Sequence, residues 1–210
     1  RFLSIAVVAG VDLLSIGSEL NSTEAQTDRW RRIAARVRER FDGQITYSAN
    51  WDRYDQVTFW SEVDVMSVSS YFELERDRHG APEADLVAAW APIRERLLEH
   101  ARKAGKPLLL SEIGYPSLPW ANAHPWDYVA ERGQKADHEA QARCWSAFFS
   151  AWTTTFADCD SPAAGVFCYR WDPYREGGLD DTGYGVEGKP AKAVIRRGFA
   201  TIRKQASGER

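Results

Sequence analysis

Short runs rich in β-branched and other apolar residues alternate along this chain with longer amphipathic stretches, and the runs lack a clean polar face. A strand that is apolar on both sides is buried on both sides, which means a parallel sheet with helices packed against it. The fold class is therefore α/β, and the choice lies between a doubly wound sheet and a (β/α) barrel. No internal repeat and no low-complexity linker interrupts the pattern.

The periodicity predicts a helix over Arg1–Ala9, stopped by Gly10, then a strand over Val11–Ile16 that runs into Gly17-Ser18-Glu19. Thr27–Phe41 reads as a helix with Trp30, Ile33, Ala34, Val37 and Phe41 on one face and arginines on the other. Strands follow at Ile45–Ala49, Val63–Tyr71, Leu108–Ser111 and Ala164–Trp171, with a helical turn or loop at Val57–Trp60. Between and after them fall helices over Pro82–Ala104, Asp137–Phe156 and Pro190–Lys204, and a polar tail, Gln205–Arg210, that frays.

Length and charge narrow the function classes. The chain of 210 residues suits one domain. Its 27 basic and 30 acidic residues leave a net charge of −3, without the basic excess of a protein that grips nucleic acid. No apolar run reaches the roughly 18–20 residues of a membrane span. Cys144, Cys159 and Cys168 form no CxxC pair, and the four histidines lack metal-ligand spacing, so neither a disulfide framework nor a metal site is expected. Nucleotide-binding glycine motifs are missing too. Nine Trp are many for this length, and aromatic faces suit either a core or a sugar platform.

In a barrel, chemistry gathers at the carboxyl ends of the strands. Those ends carry Glu19, then Asn50 and Trp51, then Tyr71 and Phe72, then Glu112, then Trp171 and Asp172. Barrel closure can bring Glu19 and Glu112 face to face, whereas an open sheet leaves them several strands apart. Two facing carboxylates are the apparatus of glycoside hydrolysis, and a separation of about 5–5.5 Å means retention through a covalent glycosyl-enzyme. A Glu after a strand equally serves as a helix cap or a loop salt bridge, and Tyr71 and Trp171 equally serve as core aromatics. Asp64 and Asp172 read as exposed ends or caps, and Gly178–Gly188 as a loop without the alternating ligands of a calcium site.

Five segments in order carry a resemblance: LLSIGSEL (Leu13–Leu20), ITYSANW (Ile45–Trp51), FWSEVDVMSVSSYFEL (Phe59–Leu74), KPLLLSEIGYPS (Lys106–Ser117) and GKPA (Gly188–Ala191). Together they resemble glycoside hydrolase family 113, β-mannanase-like (β/α)8 barrels of the clan with catalytic Glu on strands four and seven. The resemblance runs over nearly the whole chain. It implies Glu19 as acid/base, Glu112 as nucleophile, Tyr71 as the tyrosine that hydrogen-bonds the nucleophile, and Trp171 as the aromatic platform beneath the sugar. Asn50 and Trp51 fall where substrate contacts are expected. Much of the clan has Asn before the acid/base; here it is Ser18, so an Asn-dependent contact to the sugar 2-hydroxyl is not implied.

By the same resemblance the substrate is a β-mannan or manno-oligosaccharide and no cofactor is required; the sequence itself, by its motif spacing, charge balance and apolar runs, implies no metal, nucleic acid or membrane. Compartment and oligomeric state stay open. If Val11–Glu19 is strand four, residues 1–210 are the part of one catalytic barrel domain that holds strands four to eight, and the chain is expected to be a fragment of a longer protein, because a barrel needs about 250 residues. Two alternatives remain beside the mannan hydrolase: a carbohydrate-binding or assembly module that kept the barrel without its chemistry, and a hydrolase of another β-glycan.

Overall fold

A computed structural model describes residues 2–174 and 177–208. The order along the chain is α1 (Phe2–Ala9), β1 (Leu13–Ser18), α2 (Thr27–Arg38), β2 (Gln44–Asn50), β3 (Val65–Ser69), α3 (Glu83–Ala104), β4 (Leu108–Ile113), α4 (His138–Ala157), β5 (Ala163–Cys168) and α5 (Pro190–Ala206). The five strands form one sheet in the order β1-β2-β3-β4-β5, with β1–β2 and β2–β3 parallel. Each strand thus lies beside its predecessor in sequence, as successive βα units of a barrel do and as a doubly wound sheet, which reverses its order, does not.

Every predicted strand and helix is present, with shifted ends. β1 starts two residues later than expected, because Val11 and Asp12 belong to the turn out of α1: Val11 N–H bonds back to Ala6 O at 3.2 Å. β3 is shorter at both ends, since Asp64 is held by its side chain and the chain leaves the sheet after Ser69. α2 closes at Arg38, where the chain tightens into a turn with Phe41 still buried against the fold. Tyr54–Gln56 and Trp60–Glu62 are single 3₁₀ turns, and residues 57–59 between them are irregular. Of the predicted first helix, Arg1 lies outside the described residues, as do Glu209 and Arg210 of the tail.

The chain divides into two compact units. The first comprises Arg1–Ser70, Leu98–Ser111 and Pro162–Gly165. In it β2 and β3 are buried along nearly their whole length, and the buried faces carry hydroxyls as well as hydrocarbon. Thr46 bonds Ser67 and donates to Val65 O, while Ser48 bonds both Ser69 and Ser111. A hydroxyl both donates and accepts, so small Ser and Thr side chains satisfy one another where a larger polar group would be stranded. Around this strip Trp30, Tyr47, Phe59 and Trp60 pack ring on ring, with centroids 4.9–6.4 Å apart.

The second unit comprises Tyr71–Leu97, Glu112–Ser161 and Val166–Arg210. Its core is aromatic: Trp90, Trp145, Phe148, Phe149 and Trp152 interlock along α4. Asp137 caps α4, its carboxylate accepting the Ala140 N–H at 2.8 Å. Most tryptophans therefore serve as core. Trp126 and Trp171 are the exposed ones. The three thiols are free, and burial pushes those of Cys144 and Cys168 up to about 12, which removes them from thiolate chemistry. Among the described residues no helix is long and apolar enough to cross a membrane.

Candidate active site

At the carboxyl end of β1 the backbone is locally unusual. Ser15 pairs with Thr46 and Ser18 with Ser48, so three steps on β1 match two on β2. This bulge re-aims the residues that follow it. Glu19 comes next, with φ +53°, in the left-handed region that costs a side-chain-bearing residue energy. Its N–H bonds Ser48 O at 2.8 Å and its side chain is exposed.

The turn after Glu19 is pinned by residues that the sequence did not single out. Tyr47 OH accepts the Leu20 N–H at 3.0 Å and donates to Glu24 Oε1 at 2.8 Å; Arg53 Nε meets Glu24 Oε2 at 3.3 Å. Glu24 is buried, so its carboxylate is tolerable only because these donors face it. Burial, then the Glu24 hydrogen bond and charge, push the Tyr47 phenol well above its ordinary range, and it stays protonated as a donor. At the end of β2, Asn50 turns its side-chain oxygen onto the Trp51 N–H at 2.9 Å, forming a local turn.

In the second unit the structure brings Tyr71 and Glu112 together. Tyr71 OH donates to Glu112 Oε2 at 2.8 Å. Burial first, and then the negative charge of Glu112, hold the Tyr71 phenol far above its ordinary pKa, so it remains a hydrogen-bond donor across the whole working pH range. Two further tyrosines close on it: the ring of Tyr184 lies 6.0 Å from that of Tyr71, that of Tyr169 lies 6.5 Å away, and the two are 5.4 Å from each other. Tyr169 was not anticipated. Phe167, Tyr169 and Trp171 share one parity along β5 and its extension, and parity alone does not say which ring turns toward Tyr71. Trp171 is 64% exposed, and its indole N–H is spent on Glu187 Oε2 at 2.8 Å.

The loop that carries Tyr184 is fastened from beneath. Lys189, the lysine of the GKPA segment, is buried and donates to Ser117 Oγ at 2.8 Å and to Gly183 O at 2.9 Å, with Asp181 Oδ2 at 3.3 Å. Burial pulls its pKa down and Asp181 opposes the shift. Gln141 adds bonds to Tyr115 O and Tyr184 O at 2.9 and 3.2 Å. Gly178–Gly188 is thus a loop stapled by a cation of the chain itself. Asp64 and Asp172 act locally: Asp64 accepts from Ile45 N–H and Arg38, and Asp172 accepts the Tyr174 N–H. Asp158, Cys159 and Asp160 cluster at the end of α4, but all are exposed, and Asp158 already accepts the Asp160 N–H at 3.0 Å.

The family model described as Glycoside Hydrolase Family 113 matches residues 1–189. The chain belongs to this family. Among solved structures, the family-113 β-mannanase of Alicyclobacillus acidocaldarius, solved in complex with ManMIm, is 31% identical, with a TM-score of 0.76 over 96% of this chain and 59% of that one. A second family-113 β-1,4-mannanase shares 24% identity and the same TM-score, covering 95% and 59%. A family-5 mannosidase from Rhizomucor miehei shares the fold at 14% identity and a TM-score of 0.65, covering 93% and 52%. The family-113 chain described here therefore has the strand succession of a (β/α)8 barrel and spans 59% of the length of the solved mannanases it matches. No curated protein matches it.

Proposed function

We propose that this family-113 chain carries the catalytic end of a retaining glycoside hydrolase that cleaves β-1,4-mannosidic linkages. In this reading β1 to β5 are strands four to eight of one (β/α)8 catalytic domain, to which residues 1–210 belong. The observation that carries the reading is the Tyr71–Glu112 hydrogen bond, a neutral phenol donating to a strand-end carboxylate among tyrosine rings. The donor favours the ionised carboxylate and fixes its plane, which is what a nucleophile at a sugar carbon requires.

The reaction follows in two displacements. Glu112 attacks the anomeric carbon as the bond to the leaving oxygen breaks, and Glu19 donates its proton to that oxygen. The result is a glycosyl ester of Glu112. Glu19, now a carboxylate, takes a proton from water, whose oxygen attacks the same carbon and releases the sugar with its original configuration. The charge that leaves Glu112 as the ester forms returns as the ester breaks, and Tyr71 strengthens its hydrogen bond in step. Asn50 and Trp51 serve as substrate contacts, and Trp171 and Tyr169 as the two rings available beneath the sugar. The left-handed backbone at Glu19 fits a residue whose position is set by its role.

The test is hydrolysis of β-1,4-mannan by the natural full-length protein, with the anomer of the first product read by NMR. The proposal expects manno-oligosaccharides released as the β-anomer. A first product in the α-configuration, or hydrolysis of a β-glucan with mannan untouched, overturns it.

A further inference from the structure

Glu19 and Leu20 are exposed, yet the peptide on each side of Glu19 is held by the buried strand β2. The Glu19 N–H bonds Ser48 O at 2.8 Å, and the Leu20 N–H bonds the Tyr47 hydroxyl at 3.0 Å. These two bonds fix the two peptide planes that meet at the Glu19 Cα, and with them both of its backbone dihedrals. A side-chain-bearing residue at φ +53° stays there only while its surroundings hold it. Beyond Leu20 the turn closes on itself, because Thr23 gives its N–H and its hydroxyl to Leu20 O, each at 2.8 Å.

The bond made by Tyr47 depends on a side chain, and that side chain is fixed along its length. Its ring is buried against Trp30 and Phe59, with centroids 4.9 and 5.1 Å away, both edge to face. Gly17 leaves the room for this packing: a Cβ there would lie 2.7 Å from the Trp30 ring and 3.0 Å from that of Tyr47. The single hydroxyl hydrogen is committed to Glu24, so the oxygen lone pairs are left for the Leu20 N–H. Glu24 in turn accepts from Arg53 on its other oxygen, and the Arg53 N–H bonds Asn50 O at 3.0 Å. An unbroken chain of contacts therefore runs from the end of β2 to the peptide that follows Glu19.

We propose that Tyr47, oriented by Glu24 and Arg53, is a positioning residue for proton transfer by Glu19: it locks the Glu19–Leu20 peptide and so presents the Glu19 carboxyl to the leaving oxygen from one direction. The inference rests on the reading of Glu19 as the acid/base. A proton donor works only within hydrogen-bond reach of the atom it protonates. An exposed, flexible side chain swings about its own backbone, so holding that backbone in one conformation narrows where the carboxyl can be before substrate arrives.

Tyr47→Phe keeps the ring and removes the hydroxyl. The experiment, in the natural full-length protein, compares kcat/KM for two aryl glycosides of β-1,4-mannobiose. Phenol is a poor leaving group that needs the proton of Glu19 as its bond to the anomeric carbon breaks, whereas 2,4-dinitrophenol departs as a stable anion without one. Tyr47→Phe is expected to lower kcat/KM for the phenyl glycoside about tenfold, part of the roughly 10²–10⁴-fold that a positioned acid supplies, and that for the dinitrophenyl glycoside by less than about twofold. Both rates come from one preparation, so an unfolded fraction cancels in their ratio. Glu19→Ala, measured alongside, should show the same selectivity in larger measure. Given that, a Tyr47→Phe variant that loses equally on both substrates, or on neither, overturns the positioning role and leaves the acid/base reading standing. Equal losses in Glu19→Ala overturn that reading and this inference with it.

Discussion

Gly114 and Tyr169 touch through their backbones: a Cβ placed on Gly114 would lie 2.0 Å from the carbonyl oxygen of Tyr169. One residue earlier, Ile113 O accepts the Tyr169 N–H at 2.7 Å. The chain leaving β5 can close on the end of β4 only because position 114 has no side chain, and that closure carries the Tyr169 ring toward Tyr71. Gly114→Ala must push this segment outward. The expected loss is about 1–3 kcal/mol of stability, read by urea unfolding, with kcat falling further than the unfolding shift explains. A variant as stable and as active as wild type contradicts the assignment.

Tyr71→Phe keeps the ring and removes the donor to Glu112. A hydrogen bond to a charged group is worth about 1.5–3 kcal/mol, or roughly 10- to 100-fold in rate at about 1.4 kcal/mol per tenfold. The loss should appear in kcat rather than in KM, and the acidic limb of the kcat/KM profile should move to higher pH, because a carboxylate that loses a donor holds its proton more tightly. An unmoved limb with unchanged kcat would mean that Tyr71 packs beside Glu112 without tuning it.

In the proposed reaction two rings are candidates for the place beneath the sugar. The ring of Tyr169 approaches Tyr71, whereas that of Trp171 is directed to Glu187. Tyr169→Ala is therefore expected to cost more than tenfold in kcat/KM on a short aryl mannoside, at about 0.5–1.5 kcal/mol for the aromatic contact plus its buried area. Trp171→Ala should cost less. The reverse order returns the platform to Trp171.

Asp64 gives a pH test away from the site. Burial works against its charge, but the Arg38 guanidinium and the Ile45 N–H hold its carboxyl below the ordinary value of 3.8. A carboxyl depressed in the folded state stabilises wherever it is ionised there, so the contribution is full above the unfolded pKa and disappears as the pH falls through the folded one. The gap in urea midpoint between wild type and Asp64→Asn should therefore be open near neutral pH and close only as the pH falls below the ordinary carboxyl value of 3.8. A gap that persists in acid assigns the effect to packing instead.

What was legible in the sequence was periodicity and strand-end chemistry. The alternation of buried runs and amphipathic stretches located all five strands, because a strand buried on both faces writes an unbroken apolar run. It could not place their ends: Val11 looks like strand but lies in the turn out of α1, since pairing depends on which residue Gln44 meets, and that is Asp12 and Leu13. Glu19 and Glu112 stood out by position, whereas the bulge before Glu19 and its left-handed backbone left no mark beyond the small residues Gly17 and Ser18. Tyr47, Glu24 and Arg53 went unnoticed because their partnership spans 23 and 29 positions and exists only after folding. Tyr169 was hidden by parity with Phe167 and Trp171.

The central claim, that Glu112 is the nucleophile of a retaining reaction, is open to direct measurement. A 2-deoxy-2-fluoro mannosyl fluoride reacts as a substrate whose second displacement is slow, so the sugar remains esterified to the attacking carboxylate. Proteolysis of the treated natural protein followed by peptide mass mapping then reports the residue. The account predicts one added fluorosugar, on Glu112, that slowly leaves as activity returns. A stable adduct on Glu19 or another side chain, or turnover of mannan with no adduct at all, contradicts it.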